Sequence, residues 1–367
     1  MKISWATQVA LNGICPYFTM FPLEFPLNIL QHRAKKGDRV LDPFCGRGTT
    51  NFAARLMGLY SLGVDSSPVA AAITASKLVS TTVGEILTEA RNILTERGPH
   101  QIPKGEFWRW AYETTVLDSL CKLREAFLED CSTAPRIALR GLVLGALHGP
   151  RQKTFASYFS NQSPRTYSPK PAYATHYWQR RSLSPQAVDV LAVIERRAER
   201  YYSGMLDVTG KVKLADSRAE ATLRLAKPTN RFNWVITSPP YYGMRTYIPD
   251  QWLRNWFVGG PDIVDYSNCG QIVHSSPIDF AANLRQVWQN SARVCADDAT
   301  MIIRFGGLSD RRANPLDLIK SSLSESGWRI TTIHGAGSAT KGKRQADTFL
   351  RIKTKPMDEY DIWAIRG

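Results

Sequence analysis

The first eighty residues alternate short apolar runs with helical patterns. Residues 39–42 and 60–65 are apolar runs that each end in an aspartate, and both predict strands. A helix is predicted over 51–56 between them. A second, alanine-rich helix is predicted from Pro68, with Ser67 as its N-cap. Strand, helix, strand and helix at this spacing predict a parallel sheet.

The middle of the chain, about 81–204, has a different pattern. Its periodicity predicts helices over 84–97 and 112–130, followed by a loop-rich stretch. That stretch contains Pro164, Pro169 and Pro171. Prolines argue against a regular helix there. Because strand patterns resume afterwards, we interpret the middle as an insertion into the sheet domain.

Five further apolar runs predict the rest of the sheet. They are residues 212–216, 233–237, 300–305, 328–333 and 348–352. The first of these runs again ends in an acid, Asp216. The fold class that follows is α/β, with an open and largely parallel sheet.

Composition adds a basic charge balance to this picture. The 367 residues include 47 Lys and Arg against 32 Asp and Glu, a formal net charge of +15. As a prior, this length predicts about two domains. The charge favours a polyanionic partner such as nucleic acid, although a basic soluble protein without such a partner is an equal alternative.

Cysteine spacing and hydropathy exclude several classes of protein. The cysteines are Cys15, Cys45, Cys121, Cys131, Cys269 and Cys295. None forms a C-x-x-C pair, so the pattern indicates neither a zinc ribbon nor a redox dithiol, and no metal requirement is expected. No run approaches the roughly 20 apolar residues of a membrane span. We therefore expect a cytoplasmic protein with reduced thiols.

A glycine-rich segment lies at the first strand-to-helix turn, Asp42-Pro43-Phe44-Cys45-Gly46-Arg47-Gly48-Thr49-Thr50. Glycines there let the backbone approach a ligand, and the amides at the start of the helix can bind an anionic group. The segment is not a phosphate-binding Walker loop, because no Gly-Lys-Ser/Thr follows. A tight turn without a ligand is the alternative.

Asp65 ends the second strand, 17 residues after Gly48. In a nucleotide-binding α/β fold, an acid at this position accepts hydrogen bonds from ribose hydroxyls. Its alternative role is to cap the helix that starts at Pro68. The glycine-rich turn before it favours ligand binding.

The segment Thr237-Ser238-Pro239-Pro240-Tyr241 ends the fourth strand. Two prolines fix the backbone and remove two N–H donors, so the local carbonyls act only as acceptors. Acceptors fixed in this way suit an amino group that donates two hydrogen bonds. The carboxyl edge of an open sheet is where ligands bind in this architecture.

Together these segments resemble the DNA methyltransferases that methylate exocyclic amino groups, the N4-cytosine and N6-adenine enzymes. The glycine-rich segment resembles the cofactor loop of that family, and Thr237–Tyr241 resembles its catalytic motif. Residues 15–22 resemble an N-terminal element that encloses the methionine part of the cofactor, although a histidine often found at position 15 is absent. The resemblance covers about 1–80 and 205–310.

The resemblance implies a Rossmann-like class I methyltransferase sheet with S-adenosylmethionine as the cofactor. Residues 1–80 plus 205–367 would form the catalytic domain, and 81–204 an inserted helical, basic and aromatic region for target recognition. The implied cofactor-binding residues are Asp42, Phe44, Gly46, Gly48, Thr49, Thr50, Asp65, Ser66, Asp216, Ser217, Phe21 and Pro22. The implied catalytic residues are Ser238, Pro239, Pro240 and Tyr241.

The implied mechanism is direct methyl transfer to an amino nitrogen. Its protons would donate to the Ser238 side chain and the Pro239 carbonyl, and Tyr241 would stack on a base that has left the double helix. Carbon-5 methylation is disfavoured, because no cysteine lies near this turn and Cys45 is interpreted as a packing residue. Within the family, Ser at position 238 is more typical of cytosine N4 than of adenine N6, and both remain open.

Double-stranded DNA is the expected partner, and the basic aromatic stretch is the expected contact. The candidate contacts are Arg151, Lys153, Arg165, Lys170, Tyr173, Arg180 and Arg181. A solvated basic surface with aromatics in its own small core is the alternative. Lys341–Arg344 is a further phosphate contact or a mobile charged loop.

Other functions remain open on the sequence. An RNA amino-methyltransferase shares this kind of site, and a DNA-binding subunit without activity is a third reading. Intact Asp42, Gly46, Gly48, Asp65 and Ser238 argue against loss of the cofactor site. A cognate restriction or defence-system partner stays undetermined.

Overall fold

The computed structural model describes most of the chain. The described residues are 4–17, 21–96, 98, 101–150, 155–161, 163, 167–168, 170–204, 209–224, 227, 229–243, 250–264, 272, 276–307, 313–338 and 358–367. They divide into two compact units. The helical unit comprises Met1–Phe18, Ala75–Val208 and Thr246–Ser267, and the sheet unit comprises Thr19–Thr74, Thr209–Arg245 and Asn268–Gly367. The predicted domain boundaries stay a prediction.

The sheet unit is built on one seven-stranded sheet. Its strands are β1 (Arg39–Asp42), β2 (Tyr60–Asp65), β3 (Gly210–Leu214), β4 (Phe232–Thr237), β5 (Cys295–Gly306), β6 (Trp328–Ser338) and β7 (Asp358–Arg366). The order across the sheet is β3-β2-β1-β4-β5-β7-β6. The first five are parallel, and β7 runs antiparallel to both β5 and β6. The predicted α/β fold, with a largely parallel, Rossmann-like sheet, is confirmed.

Thirteen α-helices lie in the described part of the chain. They are α1 (Trp5–Ala10), α2 (Glu24–Arg33), α3 (Thr49–Leu56), α4 (Pro68–Ser76), α5 (Val83–Glu96), α6 (Glu106–Ala111), α7 (Thr114–Glu129), α8 (Ala134–Ala146), α9 (Pro171–Arg180), α10 (Val190–Tyr202), α11 (Trp252–Phe257), α12 (Pro277–Val294) and α13 (Pro315–Leu323). Helices α5 to α11 lie in the helical unit, which agrees with the helical pattern predicted for the middle of the chain.

Local chemistry explains where the first helices begin and end. Gly48 takes a left-handed φ of 74° immediately before α3, and Gly58 takes a φ of 67° after it. The Ser67 hydroxyl accepts a hydrogen bond from the Ala70 amide at 3.3 Å, so Ser67 caps α4 as predicted. These positions confirm the alternation of strands and helices read from residues 39–76.

The structure differs from the sequence-based predictions at one strand and one helix, and one predicted strand falls outside the described residues. Strand β7 was not predicted, and the strand predicted over 348–352 lies outside the described residues. The argument that prolines exclude regular helix in the basic stretch is wrong at Pro171, which starts α9. Proline is tolerated in the first turn of a helix, because the amide it lacks would have no partner within the helix.

Each unit has its own apolar core. In the sheet unit, Val235, Met301 and Ile303 are fully buried on the central strands, and Trp288 of α12 packs on the same cluster. Burial on both faces is typical of a parallel strand covered by helices on each side. In the helical unit, Phe107 packs against Trp252 with ring centroids 4.8 Å apart. Trp252, Trp256 and Phe257 are therefore core residues.

Candidate active site

Strands β1, β2 and β4 end together at one edge of the sheet. Asp42 ends β1, Asp65 ends β2 and Thr237 ends β4, and β1 lies between the other two. The strand order reverses between β1 and β4, because β2 and β3 extend to one side and β4 and β5 to the other. The crevice at such a switch point is the usual ligand site of open α/β sheets.

Asp42 joins the glycine-rich loop to the start of the predicted catalytic turn, Thr237–Tyr241. Its carboxylate accepts hydrogen bonds from the Thr237 hydroxyl at 2.6 Å and the Phe44 amide at 3.1 Å. Burial raises the pKa of Asp42 to about 7, against the lowering effect of these hydrogen bonds. The hydroxyl of Thr50 donates to the Ile236 carbonyl at 3.0 Å, and this hydrogen bond links α3 to β4.

The glycine-rich loop leaves open space at Gly46 and closes tightly at Gly48. Gly46 has a φ of 50°, and a Cβ added there would meet no atom within 4 Å. A Cβ at Gly48 would come within 2.7 Å of the Thr74 side chain. The Thr74 hydroxyl donates to the Gly46 carbonyl at 2.9 Å. Helix α4 thus supports the loop from one side, and the loop backbone at Gly46 stays accessible to a ligand.

Asp65 holds the loop and keeps acceptor capacity. One carboxylate oxygen accepts the Gly46 amide and the other accepts the Ser67 amide, each at 2.9 Å. A carboxylate has about four lone-pair positions, so about two remain for other donors. The residue is half-buried. Burial raises the pKa of Asp65, and the two amide hydrogen bonds oppose that rise. These free acceptor positions fit a pair of donating ribose hydroxyls.

Asp216 and Ser217 follow β3 at the same edge. The Arg218 guanidinium binds both oxygens of the Asp216 carboxylate, with 3.1 Å from Nε to Oδ1 and 2.7 Å from Nη2 to Oδ2. Burial alone would raise the pKa of Asp216, but the Arg218 contacts lower it overall. The Ser217 hydroxyl donates to the Pro43 carbonyl at 2.7 Å. Both residues are thereby fixed beside the glycine-rich loop.

The predicted catalytic turn follows β4, and its aromatic residue, Tyr241, is in contact with other parts of the sheet unit. Ser238 and Pro240 are half-buried and Pro239 is buried. The Tyr241 hydroxyl donates to the Glu359 carboxylate at 2.7 Å, and its ring meets the edge of Phe305 with centroids 5.3 Å apart. Strands β5 and β7 therefore hold the ring of Tyr241. Its stacking on a target base stays a prediction.

Residues 15–17 and 21–22 of the N-terminal element are described, and residues 18–20 lie outside the described residues. Phe21 packs edge-on against Phe25, with ring centroids 5.2 Å apart. The Arg304 guanidinium of β5 lies 3.7 Å from the centroid of the Phe25 ring. Pro22 is exposed.

The predicted cofactor residues and the catalytic turn all belong to the sheet unit. Asp42, Thr49 and Thr50 are buried, whereas Ser66 is exposed. The contacts of Asp42 and Thr50 are with the protein, and direct contact of any of these residues with a cofactor stays a prediction. Cys45 is buried in the loop, and burial raises the pKa of its thiol, which agrees with a packing role.

The predicted DNA contacts lie in the helical unit. Arg151, Lys153 and Arg165 fall outside the described residues, as does Lys341–Arg344. Lys170, Arg180 and Arg181 are exposed, and the Tyr173 side chain is 70% exposed. Phe159 and Trp178 are buried in the core instead. The basic stretch therefore combines exposed cations with an aromatic core of its own.

Two contacts of the site were missed by sequence reasoning. Glu359 binds Tyr241 and Arg218 binds Asp216. Arg218 carried a signal, because it lies two residues after the acid. Glu359 carried none, since 118 residues separate it from Tyr241.

Searches for membrane and metal features gave negative results within the described residues. No helix there is long and apolar enough to cross a bilayer. No group of three or more His, Cys, Asp or Glu side chains in the described ranges is arranged to hold a metal ion.

Comparison with known proteins connects the first part of the chain to DNA methylation. Residues 5–76 match the N6/N4 methyltransferase family model described as "DNA methylase". A 50-residue segment is 40% identical to the Type II methyltransferase M.BsoBI of Geobacillus stearothermophilus, and covers 13% of this chain and 10% of that protein. These matches support the resemblance to the amino-methylating DNA methyltransferases.

Solved structures with a similar fold are distant in sequence. The rRNA methyltransferase AviRa of Streptomyces viridochromogenes matches with a TM-score of 0.37 at 11% identity, covering 100% of this chain and 94% of that one. A SAM-dependent methyltransferase of Methanosarcina mazei matches with a TM-score of 0.34 at 8% identity, covering 95% of this chain and 99% of that one. The sheet order itself, described above, assigns the fold.

Proposed function

We propose that this protein is a DNA methyltransferase that transfers a methyl group from S-adenosylmethionine to the exocyclic amino group of a base, with cytosine N4 as the favoured target. The observation that carries the proposal is the junction of the glycine-rich loop with the Ser-Pro-Pro-Tyr turn. Asp42 ends β1 in that loop and binds Thr237, the residue before Ser238. The match of residues 5–76 to the DNA methylase model supports the same assignment.

The residues that would hold the cofactor form one edge of the sheet. Gly46 offers open backbone, and Asp65 offers the lone pairs for ribose hydroxyls. Phe44 is half-buried beside Trp288, with ring centroids 5.8 Å apart, and would supply an apolar wall. When bound, S-adenosylmethionine supplies a methyl group on a positively charged sulfur. No metal ion is required for that chemistry.

The turn would position and activate the amino group. An exocyclic amino nitrogen is a poor nucleophile, because its lone pair is delocalised into the ring. Hydrogen bonds from its two protons to the Ser238 hydroxyl and the Pro239 carbonyl would draw the nitrogen toward tetrahedral geometry. Acceptors that are already in place stabilise the developing positive charge without reorganisation.

Cytosine N4 is favoured over adenine N6 because a neutral serine stands at position 238. A neutral acceptor suits a reaction in which the proton leaves after methyl transfer. The base must leave the double helix to reach a turn at the sheet edge. Exposed Lys170, Arg180 and Arg181 would bind the phosphate backbone and hold the DNA.

Labelled-methyl transfer tests the proposal directly. The protein is incubated with tritiated S-adenosylmethionine and either duplex DNA or tRNA, and the modified nucleoside is identified by mass spectrometry. We expect N4-methyldeoxycytidine from DNA. N6-methyldeoxyadenosine would change the target base and keep the enzyme class. Label in RNA alone would refute DNA as the substrate.

A pair of serine variants assigns the site. Ser238→Ala is expected to lower kcat by at least tenfold with little change in cofactor affinity, because one acceptor of the amino group is lost. Ser324→Ala, at an exposed serine of the same unit, is the matched control and should retain full activity. Equal activity of the two variants would show that the Ser-Pro-Pro-Tyr turn is not the site.

A further inference from the structure

The helical unit contains a cavity of about 300 Å³, and all of the residues that line it belong to that unit. One side of it is a single face of α10, formed by Val193, Arg196, Arg197, Arg200 and Tyr201. These positions follow the i, i+3, i+4, i+7, i+8 spacing of one helical stripe. The helix therefore presents three arginines and a tyrosine to the same space.

The other walls come from the N-terminal segment, α8 and the loop before Phe159. Pro16, Gly145, Phe155 and Tyr158 are among the residues that form them. A Cβ on Gly145 would collide with the Ile14 carbonyl and the Arg197 guanidinium. Glycine at position 145 therefore allows Arg197 to approach the N-terminal segment and form this wall.

The cavity is strongly cationic. Its lining includes Arg196, Arg197 and Arg200 and contains no aspartate or glutamate. In the part of the chain that the structure describes, no carboxylate forms a salt bridge with any of the three. Arginine stays protonated at neutral pH. Three positive charges thus face a small space without a counter-charge on its walls.

Two of the three guanidinium groups are fixed in place by backbone carbonyls. Arg197 donates to the Ile14 carbonyl at 2.6 Å and to the Leu142 carbonyl at 3.2 Å. Arg196 donates to the Ala156 carbonyl at 2.5 Å. Burial lowers the pKa of Arg197, which means that its charge is held at a desolvation cost. A bound anion would offset that cost.

Aromatic rings accompany the arginines. Both Arg197 and Arg200 lie 5.4 Å from the centroid of the Tyr201 ring, and Arg196 lies 5.4 Å from that of Phe155. Guanidinium planes and aromatic rings are the surfaces on which nucleic acid bases stack. The cavity thus combines guanidinium groups with flat aromatic walls.

We propose that this cavity is a nucleotide-binding site, in which the α10 arginines bind a phosphate group and the aromatic walls contact the attached base. The phosphate belongs either to a free mononucleotide or to a nucleotide of a DNA strand. A volume of about 300 Å³ lies at the small end of ligand pockets and suits a single nucleotide unit. The phosphate monoester of a free mononucleotide is close to dianionic and balances three arginines better than a single carboxylate does. The fork geometry of the guanidinium groups matches the oxygens of that monoester and of a singly charged DNA phosphodiester alike.

Calorimetric titration of the full-length protein with dCMP, deoxycytidine, inorganic phosphate and 4-hydroxybenzoate tests this proposal. We expect dCMP to bind at least tenfold more tightly than deoxycytidine or phosphate, because both halves of the cavity are then used. Equal binding of dCMP and deoxycytidine would overturn the proposal. So would tighter binding of the aromatic carboxylate.

Variants locate the binding. Arg200 is exposed and donates no hydrogen bond to the described chain, so Arg200→Ala should fold and should weaken dCMP binding at least tenfold. Arg196→Lys keeps the positive charge and should lose less dCMP affinity than Arg200→Ala does. Arg91→Ala, at an exposed arginine on α5 of the same unit, is the control and should bind as the wild type does. Unchanged dCMP binding by Arg200→Ala would refute this site.

A second pair of measurements separates this site from the cofactor edge and identifies the source of the phosphate. Asp65→Asn should leave dCMP binding unchanged, and a loss there would place the nucleotide at the glycine-rich loop and overturn the proposal. If duplex DNA competes with dCMP, and Arg200→Ala weakens that DNA binding, the phosphate belongs to a DNA nucleotide. Binding of dCMP to the DNA-saturated protein would identify a free nucleotide. The readout is independent of methyl transfer, so its failure leaves the proposed function untouched.

Discussion

Asp42 is a buried carboxyl whose protonation is linked to folding. Its pKa in the folded protein is raised from 3.8 to about 7, mainly by burial. A raised carboxyl pKa means that the folded state binds more protons than the unfolded state between these two values. Protonated Asp42 therefore contributes fully to the stability of the folded state below about pH 4, and that contribution is lost as the pH rises through 7.

Asp42→Asn should remove this pH dependence. Between pH 5 and pH 8 the wild type is expected to lose about 3 kcal/mol of unfolding free energy relative to the variant. Each pKa unit corresponds to about 1.4 kcal/mol. Urea unfolding at both pH values measures it. A difference that stays constant with pH would contradict the raised pKa.

Tyr241 is the catalytic-turn residue whose surroundings differ most from the sequence-based hypothesis. Stacking was part of the mechanism that the family resemblance implies, and the structure adds a 2.7 Å hydrogen bond to Glu359. If the ring is the functional part, Tyr241→Phe should keep methyl transfer within about threefold while Tyr241→Ala loses most of it. Glu359→Gln should behave as Tyr241→Phe does. A large loss of kcat in Tyr241→Phe would instead give the hydroxyl a direct role.

At the scale of elements, the start of α3 depends on close packing against α4. Gly48 and Gly58 both have left-handed φ values, 74° and 67°, but only a Cβ at Gly48 would meet another side chain, that of Thr74. A left-handed alanine costs about 1–2 kcal/mol in either position. The packing conflict at Gly48 should add about 1–3 kcal/mol.

Comparing Gly48→Ala with Gly58→Ala isolates that conflict. Thermal or urea unfolding should show the larger destabilisation for Gly48→Ala. Cofactor affinity should also fall in Gly48→Ala, since moving Thr74 breaks its hydrogen bond to the Gly46 carbonyl. Equal destabilisation of the two variants would mean that the Thr74 side chain of α4 moves away without a loss of unfolding free energy.

The elements that sequence predicted well are those whose signals are local. Residues 39–42 and 60–65 carry an apolar run, a closing acid and a following glycine turn or N-cap, and the structure has strands at those bounds. Strand β7 lacks such signals. Three of its first four residues are acidic, and its antiparallel pairing with β5 and β6 joins distant segments of the chain.

The candidate site was predictable in its residue types but not in its contacts. Asp42, Asp65 and Thr237 could be placed at one edge, because the ends of parallel strands meet there. The hydrogen bond from Thr237 to Asp42 depends on β1 lying next to β4, a pairing across 195 positions that no local pattern encodes. The arginine face of α10 was missed because its meaning depends on the cavity opposite it.

At the scale of the whole molecule, the net charge of +15 predicts that DNA binding depends strongly on salt. Each phosphate neutralised by Lys or Arg contributes about −0.9 to the slope of log K against log salt concentration. Lys170, Arg180 and Arg181 are exposed in the helical unit and free of ion pairs among the described residues. If they bind phosphate, replacing all three by alanine should reduce the steepness of that slope by about 2–3.

A charge-matched variant separates specific contact from bulk charge. Lys35→Ala, Lys36→Ala and Arg91→Ala together remove the same three charges at exposed positions outside the basic stretch. Fluorescence anisotropy with a labelled duplex, titrated between 50 and 300 mM salt, should show a reduced slope for the first triple variant and a wild-type slope for the second. Equal slopes for the two triple variants would mean that net charge alone draws the protein to DNA. In that case the phosphate contacts lie elsewhere on the surface.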